Sequence, residues 1–265
     1  MLETAIRAAR EAGRVLLEGS RGEIRVERLA QRDVKLAMDR KAEEVILGIL
    51  SEKFPGHAIL SEECGAVPPK LARRSGRRKG ASDYLWVIDP LDGTVNYSRR
   101  IPLWGTSVAL LHQGREIVGV IFDPVRGELY HAEEGQGAFL NGKRIRVSER
   151  ARLSAAMIAF GFSSREEQLR RGLSAAAQLP MAASKVRGLG SAVLHLAYVA
   201  CGRMDGFFEF GIHQWDIAAG TVLIREAGGK VTTRALPDGS LDLACSNGRI
   251  HEELLKQMCS KESVS

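Results

Sequence analysis

Trp86-Val87-Ile88-Asp89-Pro90-Leu91-Asp92-Gly93-Thr94 reads as a buried strand that ends on a carboxylate, turns at a proline and meets a second carboxylate before a helix start. Leu85 to Ile88 is apolar without alternation, the pattern of a strand covered on both faces. Pro90 has no N–H to give a sheet, so the run must turn there. Two carboxylates on one tight turn can share a hard cation, because Mg²⁺ takes oxygen ligands in near-octahedral geometry. Gly93 and Thr94 at a helix start would turn their amides outward, where a phosphate is favoured. The same residues also describe a solvated turn whose aspartate caps the next helix. The motif alone leaves these two readings level.

Acids elsewhere in the chain shift the balance. Ser61-Glu62-Glu63 closes the short apolar run Ala58–Leu60, and Trp215-Asp216 opens the helical run Ile217–Ile224 just after the strand Phe207–Phe210. Taken singly, Glu62-Glu63 is a surface pair and Asp216 a helix N-cap. With Asp89 and Asp92 they become four acids at strand ends and helix starts, as a site for two or three Mg²⁺ ions requires.

Apolar spacing predicts helices over 2–19 and 34–53, the second stopped by Phe54-Pro55-Gly56. Arg21 to Arg32 reads as a short strand or a mobile loop, and 66–83 as a loop. From 105 to 147 apolar runs alternate with turn signals such as Gln113-Gly114 and Asn141-Gly142, an antiparallel meander. After 148 the pattern becomes strand, helix, strand, helix. Strands are expected at Met157–Phe162, Lys185–Leu189, Gly206–Phe210 and Lys230–Thr233, with helices at 165–178, 191–202, 215–227 and 251–259. The expected fold is therefore α+β followed by an α/β half, in two subdomains, 1–148 and 149–265.

Composition excludes several classes. Apolar residues make up 45% of 265, enough for a large core and against disorder. No stretch of about 18 apolar residues exists to span a membrane. The acid-bearing amphipathic start is unlike an export signal. Cys64, Cys201, Cys245 and Cys259 stand apart, which argues against zinc or a disulfide framework and fits a cytoplasmic setting. The 38 basic residues against 32 acidic ones leave +6, an excess that invites a nucleic-acid reading. Lys70, Arg73, Arg74, Arg77, Arg78 and Lys79 account for all of it, in one segment without acids. Net charge is thus no guide to function here.

DVKLAMD at 33–39, Glu62-Glu63, WVIDPLDGTVNY at 86–97 and GIHQWDIAAG at 211–220 together resemble the inositol monophosphatase family of magnesium-dependent, lithium-sensitive sugar phosphatases. FPGHAILSEE, the glycine-rich stretch at 135–145 and GSAVLHLAYVACGRMDGFFE at 190–209 extend the likeness over nearly the whole chain. The resemblance implies a layered αβαβα sandwich and a homodimer. Glu62, Asp89 and the Leu91 carbonyl would hold one Mg²⁺, and Asp89, Asp92 and Asp216 a second. A third ion would be held more weakly near Glu62. Thr94 with Glu62 would activate the attacking water, and Asp39 would hold the Thr94 hydroxyl. Asp92, Gly93, Thr94 and Asp216 would meet substrate, with Gly190, Ser191, Ala192 and Glu209 lining a sugar or inositol pocket. Glu209 also reads as an exposed strand-end acid, and His213, though close, as a structural histidine.

The resemblance implies Mg²⁺-dependent hydrolysis of inositol monophosphate by direct attack of water, with no phosphoenzyme. Fructose 1,6-bisphosphate, histidinol phosphate and 3′-phosphoadenosine nucleotides are the alternative substrates. Thr94-Val-Asn-Tyr favours the inositol branch over the nucleotide branch. A regulator that binds RNA or transcription machinery through Lys70–Lys79 is the alternative of another class. The family commonly reads Asp-x-Val-Thr-x-x-Asp where this chain has Asp33-Val-Lys35-Leu-Ala-Met-Asp39. A lysine thus stands near the expected metal site. Solvent exposure is the expectation for it, with phosphate contact or a weakened third metal as alternatives.

Overall fold

The helix expected from residue 34 begins three residues later in the computed structural model, which describes residues 1–30, 33–69 and 82–259. Helix α1 (Leu2–Gly19) buries Ala5, Ala8, Ala9, Ala12 and Leu16, one small-residue stripe that lets a second helix approach closely. Strands β1 (Val26–Ala30) and β2 (Asp33–Leu36) then pair antiparallel, Arg28 opposite Lys35. Only after them does helix α2 (Ala37–Lys53) start. Leu36 stays extended at φ −119° and ψ 152°, and the Asp39 carboxylate accepts its N–H at 2.6 Å. Pairing with β1 gives residues 33–36 their hydrogen bonds as a strand, so the helical spacing of their side chains loses.

The quoted motif lies on β5 (Tyr84–Asp92), inside an eight-stranded sheet. On one side β5 runs parallel to β3 (Ala58–Ser61), with Ser61 beside Ile88, and β4 (Gly65–Val67) forms the antiparallel edge. The loop expected from residue 66 thus begins with an edge strand; Lys70–Lys79 lie outside the described residues. On the other side the meander follows: β6 (Gly105–His112), β7 (Arg115–Asp123), β8 (Glu128–Glu133), β9 (Gly137–Leu140) and β10 (Lys143–Ile145). Gln113-Gly114 and Asn141-Gly142 have positive φ at both residues, the geometry of turns that match strand twist. Trp86 and Ile88 enter the cluster beneath α1 and α2, while Val87 enters the core on the other face.

After the short helix α3 (Thr94–Ser98) and the meander, the second half builds a five-stranded sheet. Its parts are β11 (Met157–Phe160), α4 (Glu166–Ala182), β12 (Lys185–Arg187), α5 (Ala192–Ala200), β13 (Gly206–Ile212), α6 (Gln214–Glu226), β14 (Lys230–Ala235), β15 (Leu241–Ser246) and α7 (His251–Cys259). The order is β12-β11-β13-β15-β14, with β15 antiparallel to both neighbours. β15 escapes the sequence reading because Asp242 to Ser246 are all buried, so no alternation marks it.

Five layers result: α1 and α2, the large sheet, α5 and α6, the small sheet, then α4 and α7. This is the αβαβα sandwich. Val193, Leu196, Ala218 and Val222 of the middle helices share one core with Val87, Ala109 and Ile121 of the large sheet. Helix and sheet meet so tightly that a Cβ at Gly119 would lie 2.3 Å from the Ala219 carbonyl oxygen. That packing fixes the N-terminus of α6, and Asp216 with it, over the end of β5.

Candidate active site

At the end of β5 the register with β6 breaks between Asp89 and Asp92, where Pro90 interrupts the ladder. Asp89 is fully buried: one carboxylate oxygen accepts the Leu91 N–H at 3.0 Å, and the other has no hydrogen-bond partner among the described residues. Gly93 follows at φ +88°, and a Cβ there would stand 2.8 Å from the Leu103 carbonyl oxygen. Only glycine fits that turn. Asn96 on α3 donates to the carbonyls of Leu103 at 2.8 Å and Leu189 at 2.7 Å, tying the turn to the approach to α5.

Asp92, at the end of the same strand, and Asp216, from the start of α6, complete the group. Asp92 accepts hydrogen bonds from the Ser191 hydroxyl and, at 3.0 Å, from the Val193 N–H at the start of α5. Asp216 accepts the His213 N–H at 2.8 Å, so the N-cap reading holds for one of its oxygens. Asp89, Asp92 and Asp216 nevertheless each offer a carboxylate oxygen within 4.8 Å of the others. Burial, then the charges of Glu62, Asp92 and Asp216, push the Asp89 carboxyl well above its ordinary range. Burial also raises Asp216 strongly and Asp92 to about 6, the latter against the hydrogen bonds from Ser191 and Val193. Mutually repelling buried carboxylates, one with an orphaned oxygen, fit a hard divalent cation better than any uncharged filling.

Glu62 stands beside this group and is held differently. Its N–H reaches the Ile88 carbonyl at 3.3 Å, which sets its backbone next to Asp89. Its carboxylate, however, binds the Lys35 ammonium at 2.8 Å, and Glu63 binds the same ammonium. Lys35 is therefore not a solvent-facing lysine: its side chain is only 26% exposed, because β2 points it at two glutamates. Burial pulls its pKa down, but Glu62 and Glu63 together raise it. The buried Glu43, unmarked in the sequence reading, accepts the Ser61 hydroxyl and the Cys64 N–H, so it braces the turn that carries both glutamates.

Asp39 and Thr94 do not meet as expected. The Thr94 hydroxyl donates to the Leu91 carbonyl at 3.0 Å, the acceptor three residues back at a helix start. Asp39 spends one oxygen on the Leu36 N–H and leaves the other buried without a partner among the described residues. Burial lifts its carboxyl to about 7, opposed by the Leu36 hydrogen bond.

Beside the three aspartates opens a cavity of about 210 Å³ lined by Asp92, Gly190, Ser191, Ala192, Glu209 and Asp216. Gly161, Phe162, His195 and Ile212 complete the lining; the glycine and the two apolar residues carry no chemical signal in the sequence, and His195 lies within an apolar helical run without a motif around it. Glu209 is no exposed strand-end acid: burial, then the charge of Asp92, lifts it to about 8. A Cβ at Gly161 would lie 1.8 Å from Glu209 Oε2, so the absence of a side chain there makes room for the carboxyl. His213 stacks on Trp215 and does not line the cavity. A larger cavity of about 460 Å³ lies on the small sheet, where Asp242 already engages both Arg171 and Arg234.

Comparison with known proteins gives a consistent picture. A model of the inositol monophosphatase family matches residues 1–263. Inositol-1-monophosphatase of Mesorhizobium japonicum is 42% identical over 257 residues, which cover 94% of this chain and 90% of that one. Nus factor SuhB of Pasteurella multocida is 39% identical over 234 residues, 87% of this chain and 84% of the other. The crystal structure of extragenic suppressor protein suhB from Bartonella henselae matches with a TM-score of 0.86 at 34% identity, covering 99% and 98% of the two chains.

Proposed function

The chain belongs to the inositol monophosphatase family, and from that premise we propose a Mg²⁺-dependent phosphomonoesterase that hydrolyses inositol monophosphate. The observation that carries the reading is the buried group Asp89, Asp92 and Asp216, three carboxylates within 4.8 Å with no Lys or Arg of the described residues among them. They would hold one Mg²⁺; Glu62, Asp89 and the Leu91 carbonyl would hold another, with a third near Glu62. Bound there, Mg²⁺ supplies charge screening for phosphate, a water of lowered pKa and stabilisation of the leaving oxygen.

The chain's own groups supply the rest. Gly93 and Thr94 place backbone amides at the start of α3 for the phosphate oxygens. Thr94 and Glu62 orient the attacking water, and Glu62 takes its proton. Glu209, raised to about 8, carries a proton at neutral pH and so presents both a donor and an acceptor to ring hydroxyls. The rigid tie of Asn96 to Leu189 holds the ring pocket and the phosphate turn in fixed relation. Hydrolysis of inositol monophosphate should exceed that of fructose 1,6-bisphosphate, histidinol phosphate and a 3′-phosphoadenosine nucleotide in side-by-side kcat/KM measurements with Mg²⁺. A nucleotide preference would sink the assignment.

A second reading is favoured by the relatives called Nus factors: the chain also binds RNA or transcription machinery through Lys70–Lys79. Such binding coexists with catalysis, since the acids lie elsewhere. Deleting residues 70–79 should weaken RNA retention, more so at low salt, as expected when phosphate contacts are lost. Unchanged retention at two salt concentrations removes the idea. We read the enzyme as cytoplasmic and homodimeric; no helix among the described residues is long and apolar enough to cross a membrane.

A further inference from the structure

Away from the acidic site, the cavity of about 460 Å³ on the small sheet is walled by α4, α7 and the strands β13, β14 and β15. Phe210, Ala244, Leu255 and Met258 line it with apolar surface. At its polar end Asp242, with a side chain only 6% exposed, takes two guanidinium groups. Arg171 on α4 gives it Nη1 at 3.2 Å and Nη2 at 2.6 Å. Arg234 on β14 gives it Nε at 3.1 Å and Nη2 at 2.5 Å. Arg171 also lies over the Phe210 ring, 4.3 Å from its centre, which holds its fork in place. The Thr232 hydroxyl in the same wall is engaged with His251.

One guanidinium suffices to neutralise Asp242. The second leaves a positive charge at the head of an apolar cleft. We propose that this cleft binds a small carboxylic acid with an apolar tail or ring, its carboxylate on Arg171 and Arg234 and its body against Phe210, Leu255 and Met258. The two forks already hold a carboxylate in paired N–H contacts, so their geometry is set for that planar group. A guanidinium carries more N–H donors than one carboxylate takes up, which leaves some for a second. The single surplus charge suits a monoanion, whereas a phosphate dianion would bring a charge that nothing in the lining balances. The volume falls in the range of about 300–1,000 Å³ typical of small-ligand sites, far above a packing gap. Met258 adapts its unbranched side chain to the body of the ligand. Glu209 and Phe210 are neighbours on β13 and face opposite sides of the sheet, so the cleft backs onto the substrate pocket and shares none of its lining. A ligand there needs no metal.

The test is isothermal titration of the full chain with hydrocinnamate in chelator, where the acidic site repels anions. Wild type should bind with a Kd on the order of 0.1–1 mM, as expected for a ligand of this size. Hydrocinnamyl alcohol, which lacks the charge, and inorganic phosphate, which lacks the apolar body, should each bind at least about tenfold more weakly. Arg171→Met and Arg234→Met each leave Asp242 one partner and should weaken hydrocinnamate by about tenfold or more, the worth of a charge-assisted hydrogen bond. Ala244→Leu fills the cleft, keeps both arginines and should remove binding. Circular dichroism identifies which variants are folded; Arg234, 66% exposed, is the position where a substitution disturbs the fold least. No saturable binding to wild type overturns the inference. So does equal affinity for the alcohol or for phosphate, and so do isotherms of folded Arg234→Met or Ala244→Leu that superimpose on wild type.

Discussion

Asp89→Asn is expected to lower phosphomonoesterase turnover by at least about a thousandfold, equivalent to about 4 kcal/mol of transition-state stabilisation, while leaving the fold intact. Asp89 sits where the main strand of the large sheet opens onto the acidic group, fully buried and with an oxygen that has no hydrogen-bond partner among the described residues. Asparagine preserves the size and the acceptor for the Leu91 N–H, so the turn keeps its hydrogen bond. It removes the charge that two cation positions would share. The same change has an opposite effect on the protein without metal. A buried carboxylate surrounded by Glu62, Asp92 and Asp216 destabilises the ionised fold, so neutralising it should leave the melting temperature in chelator equal to or above that of wild type. Added Mg²⁺ should then raise the wild-type midpoint and barely move that of the variant, since a ligand stabilises only what it binds. Turnover retained by Asp89→Asn in Mg²⁺ would place the chemistry elsewhere. A collapsed far-ultraviolet spectrum would show that the residue serves the fold instead.

What could be read in the sequence was local. Asp89-Pro90 punctuates an apolar run, and Gln113-Gly114 and Asn141-Gly142 announce hairpins, because each signal is contained within a few residues. Asp216 was legible twice, as helix cap and as site acid, and one carboxylate stands at both places. Contacts between distant segments were not legible. Asp33–Leu36 alternates polar and apolar over only four residues before running straight into helical spacing, so only pairing with β1 reveals it as a strand. Lys35 meets Glu62 across 27 residues of sequence, and nothing near either residue records the pair. Gly161 contributes to the cavity by what it lacks, which composition cannot express. The overall basic charge says nothing of the acidic site for the same reason. It belongs to Lys70–Lys79, whereas the acids that matter are scattered through the chain and only the fold collects them.

That collection of acids predicts an unusual pH profile for the metal-free protein. Asp92 is raised to about 6, Asp39 to about 7 and Glu209 to about 8, with Asp89 and Asp216 also raised. In the unfolded chain all of them titrate near 4. The folded state therefore holds protons that the unfolded state has released. The stability this confers is complete below about pH 4 and is lost as pH rises through each folded pKa. The buried His195 works the other way: held near 3 by burial, it favours folding above its ordinary value of 6.5 and loses that contribution as pH falls below it. The two effects oppose each other on the acid side. From pH 6.5 to 8 the carboxylates dominate, each costing about 1.4 kcal/mol per pH unit while the fold keeps its proton. His195, with the other depressed histidines His57, His131, His213 and His251, opposes them only at the start of the span. In chelator Glu209 and Asp39 alone should cost on the order of 2–3 kcal/mol over that span, with Asp89 and Asp216 adding to it, so the melting temperature should fall by at least roughly 5 °C for a chain of this size. Mg²⁺ should reverse the slope, because it binds the deprotonated carboxylates and binds them better as pH rises. Thermal melts at several pH values, with chelator and with millimolar Mg²⁺, measure both slopes at once. A midpoint that stays flat or rises with pH in chelator would mean that the acids are not buried together as described. A falling midpoint that Mg²⁺ fails to correct would mean that they are buried together but hold no cation.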